Sequence, residues 1–143
     1  MQIRRATKED IDKLVAVTQT SDLPDSDFDI KPYLEEVFDE GADVFCFEDE
    51  VELLGYITLG VDGEISYFAV AKEHRGSGIG SLLLKKALSA AEKKNFENVF
   101  LDVRNDNLDA LLIYLRRGFL ITDAYDKKTR EGTIKKLRME KKL

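Results

Sequence analysis

A chain of 143 residues is long enough to bury a core and too short for two ordinary domains, so one site on one fold is expected over residues 1–143. With 43% hydrophobic and 35% charged residues, two prolines and no low-complexity tract, the composition is that of a globular protein and excludes a disordered or collagen-like one. A formal net charge of −6 speaks against phosphate-backbone binding, and no apolar run reaches membrane-spanning length, so neither nucleic acid nor membrane is expected as a partner.

Met1 leads into Gln2-Ile3-Arg4-Arg5-Ala6 without the apolar stretch of a secretory signal, which makes a cytoplasmic location the expectation. Ile3 and Arg5 begin a short strand. Thr7 reads as a helix N-cap with Asp10 in the first turn, and Ile11, Leu14, Val15 and Val17 give that helix an apolar side. Thr18 to Ile30, with Pro24 among Asp and Ser residues, reads as a loop, and Lys31 to Glu40 as a short helix closed by Gly41. Asp43 to Glu48 and Val51 to Val61 are β-rich runs joined by the acidic turn Glu48-Asp49-Glu50. A third run, Glu64 to Ala71, follows the turn Asp62-Gly63 and completes an antiparallel meander.

The period then changes. Ile79, Leu83, Ala87 and Ala91 recur at helical spacing with Lys85, Lys86 and Lys93 on the wet side, as far as Asn95. Phe96, Val99, Leu101 and Val103 lead into a strand, and Asn107 to Arg117 is a helix ended by Gly118. Two further strands, Phe119 to Tyr125 and Thr133 to Lys141, are joined by the polar turn Asp126 to Gly132.

A single cysteine, Cys46, excludes an internal disulfide, and with the lone His74 it cannot furnish a protein-only tetrahedral metal site. Cys46 sits in the apolar run Val44-Phe45-Cys46-Phe47 and reads as a packed, inert thiol rather than a nucleophile. His74, between Glu73 and Arg75, reads as a surface residue rather than a catalytic one.

The informative segment runs from Ala69 to Ser81, a strand that passes through Arg75-Gly76-Ser77-Gly78-Ile79-Gly80 into an amphipathic helix. Glycines let a backbone approach a ligand closely, and the unpaired N–H groups and positive dipole end of a helix favour phosphate oxygens. Arg75 adds a fixed positive charge. A Walker A loop would place Lys-Ser or Lys-Thr after its last glycine, whereas Gly80 is followed by Ser81-Leu82, and the dinucleotide pattern G-x-G-x-x-G is not met either.

Arg75-x-x-Gly78-x-Gly80 at the start of a helix resembles the pyrophosphate loop of GNAT acetyltransferases, which read Q/R-x-x-G-x-G/A. Downstream, the segment from Asn107 through Ala110 and Tyr114 to Gly118-Phe119 is similar to that family's N-x-x-A-x-x-x-Y-x-x-x-G-F. The members that acetylate ribosomal-protein and other protein N-termini are the nearest in pattern. The resemblance implies a single α/β (α+β) domain with a mixed, mostly antiparallel central sheet of about seven strands flanked by about four helices. It also implies an N-acetyltransferase that moves the acetyl group of acetyl-CoA to a primary amine by direct attack in a ternary complex, without a metal. The acceptor is left open between a protein N-terminus, a lysine and a small cationic amine, and homodimerisation is possible. A non-catalytic acetyl-CoA-binding sensor or assembly module is the alternative.

The roles carried over are specific. Phe68, Ala69 and Val70 would pair with the pantetheine arm through their backbone and polarise the acetyl carbonyl, where this strand splays from the strand ending at Asp102; Arg75, Gly76, Ser77, Gly78, Ile79, Gly80 and Ser81 would hold the pyrophosphate; Asn107 would hold the pantetheine. Tyr114 would be the general acid at the sulfur. For the base, Asp102 comes first, at the end of Phe100-Leu101-Asp102, where some relatives have a glutamate, and Glu64, opening the central strand, comes second; ordered water is a third possibility. The acid-rich stretch Ser21 to Glu52, whose one basic residue is Lys31, suggests electrostatic steering of a cationic acceptor, against the plainer reading of a solvated acidic surface.

Overall fold

The computed structural model describes residues 1–21, 29–130 and 132–143. Strands β1 (Gln2–Arg5), β2 (Asp43–Glu48), β3 (Leu53–Leu59) and β4 (Phe68–Val70) form one antiparallel sheet in that order. Strands β5 (Asn98–Arg104), β6 (Leu120–Thr129) and β7 (Gly132–Lys142) form a second, ordered β5-β7-β6 and also antiparallel. Helices α1 (Ile11–Thr20), α2 (Lys31–Asp39), α3 (Ile79–Lys93) and α4 (Leu108–Arg116) complete the α/β domain. The seven expected strands and four expected helices are all present, but the sheet is split in two.

Strand β2 shows how the layers are built. Val44 and Cys46 pack with Leu14, Val17 and Leu34 of α1 and α2, while Phe45 and Phe47 pack with Leu83, Leu84 and Ala87 of α3. A strand covered on both faces must be apolar at successive positions, which is why no alternation survives in Asp43–Glu48. Helix α3 comes close to β3 because residue 55 is glycine: a Cβ there would lie 3.1 Å from the Ala69 carbonyl oxygen and 3.1 Å from Leu83 Cδ1.

Several boundaries differ from the sequence expectation. Thr18 to Thr20 belong to α1 rather than to a loop, since buried Thr18 turns its hydroxyl back to the Leu14 carbonyl (3.0 Å) and bonds the Tyr56 hydroxyl (2.7 Å). The rest of that expected loop, 22–28, lies outside the described residues. Strand β6 runs on through Asp126 to Thr129, pairing Lys127 with Ile134 and Thr129 with Gly132, where polar composition had suggested a long turn. Its residues are exposed nearly throughout, so no apolar alternation marks them as strand.

The run Glu64 to Ala71 differs most. Only Phe68–Val70 is ladder strand, and Glu64 instead makes an isolated parallel bridge to Phe100. Ile65 N–H donates to the Phe100 carbonyl (2.8 Å) and Phe100 N–H to the Gly63 carbonyl (3.1 Å). Beyond this stitch the two sheets part, β4 following β3 and β5 following β7.

Candidate active site

The seam between the two sheets exposes main-chain groups on β4. Thr58 N–H donates to the Tyr67 carbonyl (2.9 Å) and Ala71 N–H to the Leu54 carbonyl (2.8 Å), and Ala69 is registered opposite Tyr56. In an antiparallel ladder alternate residues face the partner, so Tyr67, Ala69 and Ala71 point their peptide groups at β3. Phe68 and Val70 point theirs the other way, toward the widening gap. Of the three residues expected to pair with an extended ligand, these two hold the open donors and acceptors.

The glycine-rich loop enters α3 next to this edge. Gly76 and Gly78 have φ of +78° and +89°, left-handed values at which a side chain is strained, and a Cβ at either would meet nothing within 4 Å. Gly78 is the N-cap of α3, and the bond from Leu82 N–H to the Gly78 carbonyl (3.1 Å) closes the first turn. The amides of Ile79, Gly80 and Ser81 therefore have no acceptor inside the helix. Ser77 donates its hydroxyl to the His74 carbonyl, and Arg75 is exposed. Ile79 also anchors the helix start in the core, being 5% exposed.

Helix α4 brings Tyr114 to the same place. Its ring lies 6.3 Å from that of Phe68 and 5.6 Å from that of Phe119, in tilted contacts. Burial pushes the Tyr114 hydroxyl well above its ordinary range, and it has no hydrogen-bond partner among the described residues. Asn107 caps α4 by accepting from Ala110 N–H at 3.3 Å, a structural duty that leaves its side-chain NH₂ without a partner among the described residues.

The two acidic candidates fare differently. Asp102, on the face of β5 opposite buried Leu101 and Val103, accepts from Arg138 Nε (2.8 Å), Arg138 Nη2 (3.1 Å) and the Tyr125 hydroxyl (2.7 Å). The Arg138 guanidinium holds its carboxyl below the usual carboxylate range, while Tyr125 is pushed up to about 12, first by desolvation and then by its bond to Asp102. Glu64 is raised instead, by burial and then by the charges of Asp62 and Asp102. Among the described residues its carboxylate has no hydrogen-bond or ion-pair partner. It lines a pocket of about 130 Å³ with Glu40, Asp62, Thr58 and Ser66.

The fold thus gathers Phe68, Val70, Gly80 and Tyr114 around one end of the seam, and Glu64 with Asp102 near its stitch. Sequence reasoning did not single out Tyr125 and Arg138. They lie 23 and 36 residues from Asp102, and no local pattern links them to it. Cys46 is buried, its thiol pushed up to about 11 by desolvation, and His74 is half-exposed in a short 3₁₀ turn. No group of potential metal ligands occurs among the described residues, and no described helix is long and apolar enough to cross a membrane.

Residues 8–119 match the acetyltransferase (GNAT) family, and the chain belongs to that family and is an N-acetyltransferase. It is 29% identical over 134 residues to an N-alpha-acetyltransferase of Sulfurisphaera tokodaii, covering 82% of this chain and 79% of that protein. The ribosomal-protein-alanine N-acetyltransferase of Brucella melitensis has the same fold at a TM-score of 0.84 and 21% identity, over 100% of both chains. The structure of yncA from Salmonella typhimurium with its cofactor acetyl-CoA matches at a TM-score of 0.82 and 19% identity, over 100% of this chain and 94% of the other.

Proposed function

We propose that this N-acetyltransferase passes the acetyl group of acetyl-CoA directly to an amine bound beside Glu64, both substrates being held at once. The observation that carries the reading is the place of Phe68. Its main chain faces the seam, its ring meets Tyr114, and a methyl group at Gly80 would lie 3.5 Å from its Cζ. One residue therefore joins the anion-binding helix start, an open strand edge and a buried hydroxyl, the three features a pyrophosphate, an extended pantetheine arm and a thioester sulfur need.

Arg75 and the amides of Ile79, Gly80 and Ser81 serve the pyrophosphate. Asn107 and the outward peptide groups of Phe68 and Val70 serve the arm and polarise the acetyl carbonyl. The amine lone pair attacks the carbonyl carbon, the carbon–nitrogen bond forms, and the carbon–sulfur bond breaks. Tyr114 donates its proton to the departing thiolate; its raised pKa keeps that proton in place until the thiolate forms.

A lysine-like amine is neutral to about one part in 2,500 at pH 7, a deficit of roughly 4.6 kcal/mol that a base or a dry pocket must offset. Glu64 suits that task better than Asp102, since its carboxylate is unpartnered among the described residues and more basic than usual. The proton lost by the attacking nitrogen goes to Glu64, directly or through water. The acidic pocket wall of Glu40, Asp62 and Glu64 supports a cationic acceptor.

The test is thiol release from acetyl-CoA across polyamines, free lysine, aminoglycosides and peptides with varied N-termini. Release with one amine class is expected, and its KM should rise steeply with salt. Saturable acetyl-CoA binding with no release on any amine would overturn the transfer reading.

A further inference from the structure

Asp102 sits at the candidate site yet is built as a tie. Three hydrogen bonds occupy its two oxygens, two from Arg138 of β7 and one from Tyr125 of β6, so one carboxylate on β5 links all three strands of the second sheet across one face. The same Arg138 guanidinium lies 5.0 Å from the centre of the Phe100 ring, and Phe100 is the residue bridged to Glu64 at the stitch between sheets. The tie therefore braces the strand position on which Glu64 is hung. Glu64, by contrast, has a carboxylate with no hydrogen-bond or ion-pair partner among the described residues.

We propose that Tyr125, Asp102 and Arg138 form a clasp of positioning residues that sets where Glu64 sits and what field it feels, Asp102 itself taking no proton. The inference rests on Glu64 being the base. Both charges of the clasp reach Glu64 with opposite sign: Asp102 makes its carboxylate a stronger base and Arg138 a weaker one. The other groups facing Glu64 are Asp62 on its own turn, Tyr67 next to β4, Tyr125 of β6, and Glu40, just past the end of α2, across the pocket. Apart from Tyr125, which is bonded to Asp102 and is varied separately, none of these pairs with Asp102 or Arg138, so the ion pair can be varied against a nearly constant background.

Two substitutions should move Glu64 in opposite directions. Asp102→Asn removes a negative charge and leaves Arg138 unopposed, so the Glu64 titration midpoint should fall by roughly half a unit to one unit. Arg138→Gln leaves Asp102 charged and unpaired, so the midpoint should rise by a similar amount. Tyr125→Phe keeps the ion pair and should move it less than either. The midpoint is read without any acceptor by carboxyl ¹³C NMR, with Glu64→Gln assigning the resonance. Where turnover is measured, the acidic limb of the kcat/KM profile should shift with the same signs.

Shifts of the same sign in both charge variants would indicate loosened structure alone and overturn the clasp, as would an unmoved midpoint. Loss of the acidic limb in Asp102→Asn, with Glu64 still titrating as before, would make Asp102 the base and overturn it too. A limb that survives in Glu64→Gln would sink the assignment of Glu64 as base. Opposite shifts with a limb lost in Glu64→Gln are the supporting result.

Discussion

Phe68 and Tyr114 meet across the seam with ring centroids 6.3 Å apart and planes inclined by 53°, joining the outermost strand of the first sheet to helix α4. The contact carries no hydrogen bond. It places a buried hydroxyl beside a strand whose outward peptide groups border the gap.

Tyr114→Phe should separate chemistry from folding. The ring contacts with Phe68 and Phe119 survive, and the hydroxyl has no partner to lose among the described residues. The melting temperature should stay within a few degrees, while kcat falls about 100-fold or more with acetyl-CoA KM nearly unchanged, as for a proton donor acting in the transition state. A kcat within threefold of the parent would remove Tyr114 as the acid.

The loop glycines should divide into two kinds. Gly78 has φ of +89° with open space around its missing Cβ, so Gly78→Ala carries backbone strain of about 1–2 kcal/mol and should raise acetyl-CoA KM as the loop relaxes. Gly80 lacks that constraint, and its new methyl would meet Phe68 and Val70 at ordinary contact distances of 3.5 and 3.7 Å. Gly80→Ala should leave urea-unfolding stability nearly unchanged. Equal losses in the two variants would contradict this assignment of their roles.

The parts legible in the sequence are those written locally. Ile79, Leu83, Ala87 and Ala91 recur every four residues, near the helical period, because one face of α3 packs on the first sheet, and the spacing says so without help. The phosphate loop and the Asn107–Tyr114 helix are likewise contiguous. The parting of the sheets is not, because it depends on β4 choosing β3 and β5 choosing β7; only the family resemblance implies that β4 splays from the strand bearing Asp102. Asp102 shows the same limit: alternation put it opposite Leu101 and Val103, but which side chains share its face is settled by strands 23 and 36 residues away. The stretch of β6 beyond Tyr125 carries no strand signal in the sequence because an exposed strand has no buried face to impose a period on it.

Cys46 should be silent toward thiol reagents in the native state. It is fully buried between β2 and the α1–α2 layer, and desolvation pushes its thiol up to about 11, so almost no thiolate exists at pH 8. Alkylation at pH 8 should need urea, and Cys46→Ala should retain full kcat. Rapid native labelling, or loss of turnover in the alanine variant at unchanged fold, would reopen a covalent route.

Acid sensitivity should trace to Asp10, at the entry to α1. Its carboxylate accepts from Arg4 Nη1 and Nη2, both at 2.9 Å, and from Thr7 N–H at 2.8 Å, closing the turn that starts the helix. The bond to Arg4 is the main cause that lowers its pKa from an ordinary 3.8, against an opposing push from burial. A carboxyl lowered on folding contributes stability that is fully present above its unfolded value and is lost as pH falls through its folded value. Unfolding free energy should therefore be flat near neutrality and decline below about pH 4, where the unfolded chain takes up the proton first. Asp10→Asn should cost stability at pH 7, since it leaves Arg4 half-buried with a weaker partner, and should flatten the decline measured by urea titration between pH 7 and pH 3. An unchanged pH slope would assign the acid sensitivity to the other lowered carboxylates, with Asp43 of β2, held by Arg5 and Lys94, the next to vary.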